Sequence, residues 1–279
     1  MTESDSMILL DDGDVPQMLE ASIGGGSLIA FTSPAPDKET PNEDTVAAIP
    51  YGTDATVLIV ADGAGGLPAG RRASQLAVQT LAESLEQARS DTSPLRSAIL
   101  DGIEAANQAV ISLATGSATT MTIVTVESYL ARTYQVGDSE AIVVGQKGKI
   151  KSQTMAHSPT GFAVEAGFLD KRDALHHEDR HLVSNFIGAA DMHIGVGAEI
   201  RLDARDTVLL ASDGLTDNVH IDEIVNIIRK GPLPEAIDSI ANLAKRRMVV
   251  ESKHQPSKPD DLSIILFRKP FKGGKSHAG

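Results

Sequence analysis

The order of elements legible in this chain predicts an α+β fold: two antiparallel β-sheets packed as a central sandwich, with a helix pair on each outer face (four layers, αββα). Two observations lead there. Strand-like runs come in groups joined by short connections, which favours antiparallel pairing. Helix-period stretches come in pairs after sets of strands, which argues against alternating βα units. A three-layer arrangement is the competitor. Of 279 residues, 41% are hydrophobic and 23% charged, an ordinary balance for a globular chain. Aromatics are 3% and Trp is absent, so the core must be built from Ala, Val, Ile and Leu.

Residues 1–25 are acidic and end in three glycines; they read as a loosely ordered lead-in, with a short strand or turn near 7–10. The stretch 27–32 (SLIAFT) predicts a first strand. Prolines among polar residues make 33–43 a loop, and 44–50 (DTVAAIP) a second strand. Val57, Leu58, Ile59 and Val60 form a continuous apolar run, the mark of a strand buried on both faces. It delivers Asp62 to its end, followed by a turn rich in glycine (Gly63, Gly65, Gly66, Gly70). An apolar stripe then predicts a helix over 70–89. Thr92-Ser93-Pro94 starts a second helix, to about 114.

Three strands follow in quick succession at 119–127, 129–136 and 141–145, with Gly137-Asp138-Ser139 in a turn. Residues 152–195 read as a flap-like excursion with one short helix near 161–169. Strand character resumes at 194–202, and 207–211 (TVLLA) is a buried strand ending in Ser212-Asp213-Gly214. Helices are expected over 221–230 and 233–249, and Asp260-Asp261 opens a last strand, 262–267. Residues 26–268 thus form one domain, and 269–279 a flexible basic tail.

The totals exclude several function classes. Lys plus Arg number 25 against 38 Asp plus Glu, a net charge of −13, which repels nucleic acid and anionic membranes. Without Cys there is neither a disulfide nor a thiolate metal site. No apolar run reaches membrane-spanning length, and the acidic start MTESDSM lacks the basic region of a secretory signal. The expectation is a cytoplasmic monomer.

Glu43, Asp44, Asp62, Asp138, Asp213 and Asp260 all stand where an apolar run begins or ends, where a rigid backbone can fix a side chain. One such Asp is ordinary turn chemistry. Several suggest a converging cluster, which needs a cation because like charges repel at close range. All-oxygen ligands point to Mg or Mn.

These stretches also carry a resemblance. Asn42-Glu43-Asp44, VADGAGGLPAG followed by RRAS, GSATTMT, VGDSE, LLASDGLTD and PDDLSIILF occur in an order that resembles the metal-dependent type 2C Ser/Thr protein phosphatases (PPM-type), in their bacterial single-domain form. The resemblance spans residues 42–267. It implies a phosphatase-like catalytic domain that hydrolyses phosphoserine and phosphothreonine in proteins, the products or partners of a Ser/Thr kinase. It implies catalytic roles for Asp62 and Asp213 and two Mn or Mg ions bridged by Asp62. Gly63 would lend its carbonyl, Asp213 and Asp260 would hold the first ion, and Glu43 and Asp44 would stand on the second ion's side. Asp138 with Asp213 would hold a third, weaker ion. The family's phosphate-contacting Arg position is Glu39 here, so that role falls to the adjacent Lys38. Glu140 replaces the Arg of GDSR, Asp261 an Asn, and Ala156 an acidic residue before His-Ser. The alternative is a non-catalytic phosphatase-like module that binds or regulates a phosphoprotein partner.

Other candidates have plainer readings. His176, His177 and His181 read as a solvated part of the excursion, Arg71-Arg72 as a helix-start surface pair. Thr119-Thr120 open a strand, with no base beside them.

Overall fold

The structure is a computed structural model that describes residues 6–11, 13–64, 69–250, 252 and 255–270. Five strands come first: β1 (Ile8–Leu10), β2 (Gln17–Ile23), β3 (Gly26–Ser33), β4 (Asp44–Tyr51) and β5 (Ala55–Asp62). The helices α1 (Gly70–Ser90) and α2 (Leu95–Ile111) follow, then β6 (Met121–Glu127), β7 (Leu130–Val136), β8 (Glu140–Val144) and β9 (Ile150–Gln153). The excursion holds α3 (Pro159–Glu165), α4 (Lys171–Ala174) and a 3₁₀ turn (Glu178–His181). Next come the short strands β10 (Gly195–Val196) and β11 (Ile200–Arg201), then β12 (Thr207–Ala211). The chain closes with α5 (Asp213–Thr216), α6 (Ile221–Ile228), α7 (Leu233–Val249) and β13 (Leu262–Arg268).

The strands form two antiparallel sheets. One runs β1-β4-β5-β6-β7-β10, with β11 also on β7; the other runs β2-β3-β13-β12-β8-β9. The continuous apolar run of β5 is explained by its two buried faces. Val57, Ile59 and Ala61 pack with Leu81, Leu85, Ile99 and Ile103 of the α1–α2 pair. Leu58 and Val60 point the other way, against Leu210, Ile265 and Phe267 of the second sheet. Strand β13 repeats the logic: Ile264 and Leu266 meet Ile237 and Ile240 of α7, while Ile265 and Phe267 face the first sheet. Three apolar layers therefore separate four layers of backbone. This is the αββα sandwich with a helix pair on each outer face, and the three-layer competitor is excluded. Each of these fully buried Val, Leu, Ile and Phe side chains contributes about 1.5–3 kcal/mol through burial.

Two expectations need correction, and one element was not expected. Residues 17–23, expected in a loosely ordered lead-in, form β2, which pairs with β3 from Gln17 to Ile23. Its side chains are mostly half-buried or exposed, because it is an edge strand with one neighbour, so it lacks the apolar run of a central strand. Residues 213–216, for which no element is predicted, form the short helix α5. The excursion holds two helices and a 3₁₀ turn where one helix was expected. Pro94 and Pro232 stand at the N-caps of α2 and α7, where a missing N–H costs nothing. The Gly65-Gly66 turn, the tail beyond residue 270 and the His181 side chain lie outside the described residues. Among the described residues, no helix is long and apolar enough to cross a membrane.

Candidate metal centre

The topology brings the strand-end carboxylates to one edge of the sandwich. Asp44 opens β4 and Asp62 closes β5, and the two are register partners in the antiparallel pair. Side chains at such positions start about 5 Å apart. From the second sheet, Asp213 follows β12 and Asp260 precedes β13, its antiparallel neighbour. Asp138 lies in the turn where the chain crosses from β7 to β8, that is, from one sheet to the other. Asp217 lies one helical turn beyond Asp213, on the same face of α5.

The backbone of Asp62 is fixed by the start of β6. The Asp62 amide donates to Thr120 Oγ1 at 3.0 Å, and the Asp62 carbonyl accepts from Thr119 Oγ1 and from the Thr120 amide, both at 2.8 Å. Thr120 Oγ1 also pairs with Ser139 Oγ at 2.8 Å, which ties the Asp62 strand to the Asp138 turn. Gly63 is required by close approach: a Cβ there would lie 2.4 Å from the Gly70 backbone and 2.8 Å from the Glu43 carbonyl. Asp261 pins the loop before β4. Its carboxylate accepts from the amides of Ala35 and Glu43, each at 2.8 Å, and from Lys38 Nζ at 2.6 Å. Lys38 also reaches Glu43 Oε2 at 3.1 Å.

The electrostatics are those of carboxylates crowded together. Burial pushes Asp62 well above the usual carboxylate range, and Asp44, Asp213, Asp260 and Asp138 push further in the same direction. Burial also raises Asp44, reinforced by Asp261, and Asp138, reinforced by Asp213 and Asp217. Asp217 and Asp260 are each pushed up to about 6, first by burial and then by Asp213. Both carboxylate oxygens of Asp44 and Oδ1 of Asp213 are buried without a hydrogen-bond partner. Orphaned anionic oxygens on a rigid edge suit a hard divalent cation. Among the described residues, no three or more Asp, Glu or His side chains are already drawn in around a single cation position. The ammonium of Lys258 instead contacts Asp213, Asp217 and Asp260, at 3.0 Å from Asp217 and 3.1 Å from Asp260.

Two cavities meet at this cluster. One, of about 430 Å³, is lined by Lys38, Glu43, Asp62, Gly63 and Asp260. The other, of about 190 Å³, is lined by Asp138, Glu140, Asp213, Asp217 and Arg180. All seven expected metal-site residues, Glu43, Asp44, Asp62, Gly63, Asp138, Asp213 and Asp260, stand at this edge, and Lys38 stands on the larger cleft. Glu39 is exposed and does not line that cleft. Glu140 accepts from Gln153 at 2.8 Å. His176 and His177 are exposed, and His177 caps the 3₁₀ turn through the Asp179 amide. Arg71 donates to the Asp11 carbonyl, and Arg72 lines a separate groove beside β1.

Four residues of this centre escape local reading: Thr119 and Thr120 as the clamp on Asp62, Asp217, and Lys258. The i, i+4 spacing of Asp213 and Asp217 is the one signal that marks Asp217 in advance. The others act across long sequence separations.

The model of the family described as protein phosphatase 2C matches residues 36–247. Protein phosphatase PhpP of Streptococcus pneumoniae is 28% identical over 224 residues, covering 77% of this chain and 90% of its own. The crystal structure of serine/threonine phosphatase Stp1 from Staphylococcus aureus superposes with a TM-score of 0.71 at 26% identity, covering 86% of this chain and 94% of its own. The catalytic domain of the serine/threonine phosphatase PstP, in complex with two manganese ions, shares the fold at a TM-score of 0.68 and 21% identity, covering 94% of this chain and 99% of its own.

Proposed function

Because the chain belongs to the protein phosphatase 2C family, we propose that it hydrolyses phosphoserine and phosphothreonine in proteins with divalent metal at the carboxylate edge. Asp62, with the Gly63 carbonyl beside it, would be a ligand shared at the centre of the site; Asp213 and Asp260 would hold one ion, Glu43 and Asp44 would stand on the side of a second, and Asp138 with Asp213 would hold a third. The observation that supports this reading is the convergence on Asp62 of carboxylates from both sheets, with oxygens of Asp44 and Asp213 left unpartnered. The oxygen-only donors favour Mn or Mg. Bound there, such ions lower the pKa of a water and neutralise phosphoryl charge.

The residues of this chain supply the rest. Asp261 and the Thr119–Thr120 clamp hold the ligands in place. Lys38 offers the positive charge on the larger cleft: burial alone lowers its pKa, but Asp261 and Glu43 raise it on balance, so it stays an ammonium. A binding-only module is the rival reading, motivated by Glu39 and Glu140. Glu39 is exposed and does not line the cleft, and Glu140 is engaged by Gln153, so the cation offered to a phosphoryl group on that cleft is Lys38. The same reading includes a cytoplasmic monomer acting on the products of a Ser/Thr kinase. The charge of −13 favours a protein substrate over nucleic acid.

The test is hydrolysis of p-nitrophenyl phosphate and of phospho-Ser/Thr peptides across a Mn and a Mg titration. Turnover is expected only with added metal. Asp62→Asn is expected to lose at least about 100-fold in turnover while keeping its fold. Folded protein inactive across the full titration, yet binding Mn by calorimetry, would support the binding-only module instead.

A further inference from the structure

Lys258 is placed with unusual care for a lysine in a loop. Its backbone is bracketed by Asn218, which is fully buried: the Lys258 amide donates to Asn218 Oδ1 and the Lys258 carbonyl accepts from Asn218 Nδ2, both at 2.8 Å. The preceding carbonyl, of Ser257, accepts from Arg180 of the excursion at 2.8 Å. This fixes the start of a side chain whose ammonium touches Asp213, Asp217 and Asp260. Asp213 is engaged through Oδ2 only; its Oδ1 is buried and unpartnered. Burial alone would lower the Lys258 pKa, but Asp213, Asp217 and Asp260 outweigh it and raise it strongly.

We propose that Lys258 is a tethered cation that neutralises the Asp213–Asp217–Asp260 side of the cluster in the metal-free protein and must be displaced when a divalent ion enters there. Loading at this side is then an exchange of cations: one ammonium leaves for solvent as one divalent ion arrives. Among the described residues the ion pairs of Lys258 are with Asp213, Asp217 and Asp260 and not with Glu43 or Asp44, so the Glu43 and Asp44 side loads without this competition. The chain would thus hold the ion on the Glu43 and Asp44 side more tightly than the ions that rely on Asp213 and Asp260. This rests on the metal assignment made above.

Two measurements test it. The first is Mn calorimetry on the full chain, the natural sequence against Lys258→Met and Lys258→Arg. Lys258→Met is expected to tighten the weakest Mn site at least tenfold, and to melt at a lower temperature than the natural protein without metal. Lys258→Arg, which keeps the cation, is expected to resemble the natural protein. The second needs no variant to fold. Reductive methylation of lysines in the natural protein, read by mass spectrometry, should modify Lys258 slowly without metal and several-fold faster at saturating Mn. Equal Mn affinities in all three proteins, or a methylation rate at Lys258 indifferent to Mn, would overturn the exchange while leaving the metal assignment standing. No Mn binding to any of them would overturn both.

Discussion

Thr120 Oγ1 accepts the Asp62 amide at 3.0 Å and pairs with Ser139 Oγ at 2.8 Å, in a place where Thr120 and Ser139 are both buried. Thr120→Val keeps the shape and removes the acceptor. The Asp62 amide and the Ser139 hydroxyl would then be left unpaired, a cost of about 1–3 kcal/mol. Because the amide belongs to the aspartate proposed as the shared metal ligand, the loss should reach metal binding as well. Thr120→Val is expected to melt several degrees lower and to bind Mn more weakly, whereas Thr120→Ser should restore both. Calorimetry and a thermal melt decide it; unchanged Mn affinity would separate the clamp from the metal centre. The contrast between Asp62 and Thr120 also shows what a single chain reveals. Asp62 announces itself because a carboxylate at the end of a buried strand is costly without a partner. Thr120 looks like an ordinary β-branched residue opening a strand, which it also is, since β6 begins at the next residue. Its partner lies 58 positions away, and nothing local points there.

Helix α1 begins against the strand that carries Asp62, and the contact is backbone on backbone. A Cβ on Gly63 would meet the Gly70 carbonyl carbon and oxygen at 2.4 Å, and a Cβ on Gly70 would meet Glu43 Oε1 at 2.6 Å. Backbone atoms cannot rotate aside, so Gly63→Ala must push the start of α1 away from β5, and Glu43 with it. The expected result is a loss of stability of about 1–3 kcal/mol together with weaker Mn binding. Gly102→Ala is the control. Its Cβ would meet Leu81 Cδ1 at 2.5 Å, the end of a flexible side chain within the α1–α2 layer. That variant should lose stability and keep its Mn affinity; parallel losses in both variants would show that metal binding merely follows global stability. At this scale the sequence speaks clearly wherever burial is two-sided. The run in β5 and the paired helix stripes are visible because every position is constrained by a packed neighbour. Strand β2 is hidden because an edge position constrains only part of its side chains, and α5 because four residues are too few to show a period.

Across the whole molecule, the site exists only because the two sheets are stacked. Asp44 and Asp62 come from the first sheet, Asp213 and Asp260 from the second, and Asp138 from the crossing between them. The candidate residues could be named from strand ends, but their convergence depends on the order β4-β5 in one sheet and β12-β13 in the other, which local patterns do not encode. Stacking also sets the pH response of the metal-free fold. Asp217 and Asp260 are pushed from 3.8 up to about 6, and Asp44, Asp62 and Asp138 move in the same direction. The folded state therefore binds these protons more tightly than the unfolded chain does. Their contribution is fully present below about pH 4 and is lost as pH rises through about 6. His157 works in the opposite sense: burial and then His193 push it down to about 4 from 6.5, so it adds stability as pH rises over that window. A bare melting curve mixes the two. The difference between melts with and without Mn removes His157, which the metal is not expected to touch, and keeps the carboxylates, where ions replace protons. The gap in melting temperature is expected to be small near pH 4 and to widen up to pH 7. A gap constant across that range would mean that the raised carboxylates and the bound ions do not share a site.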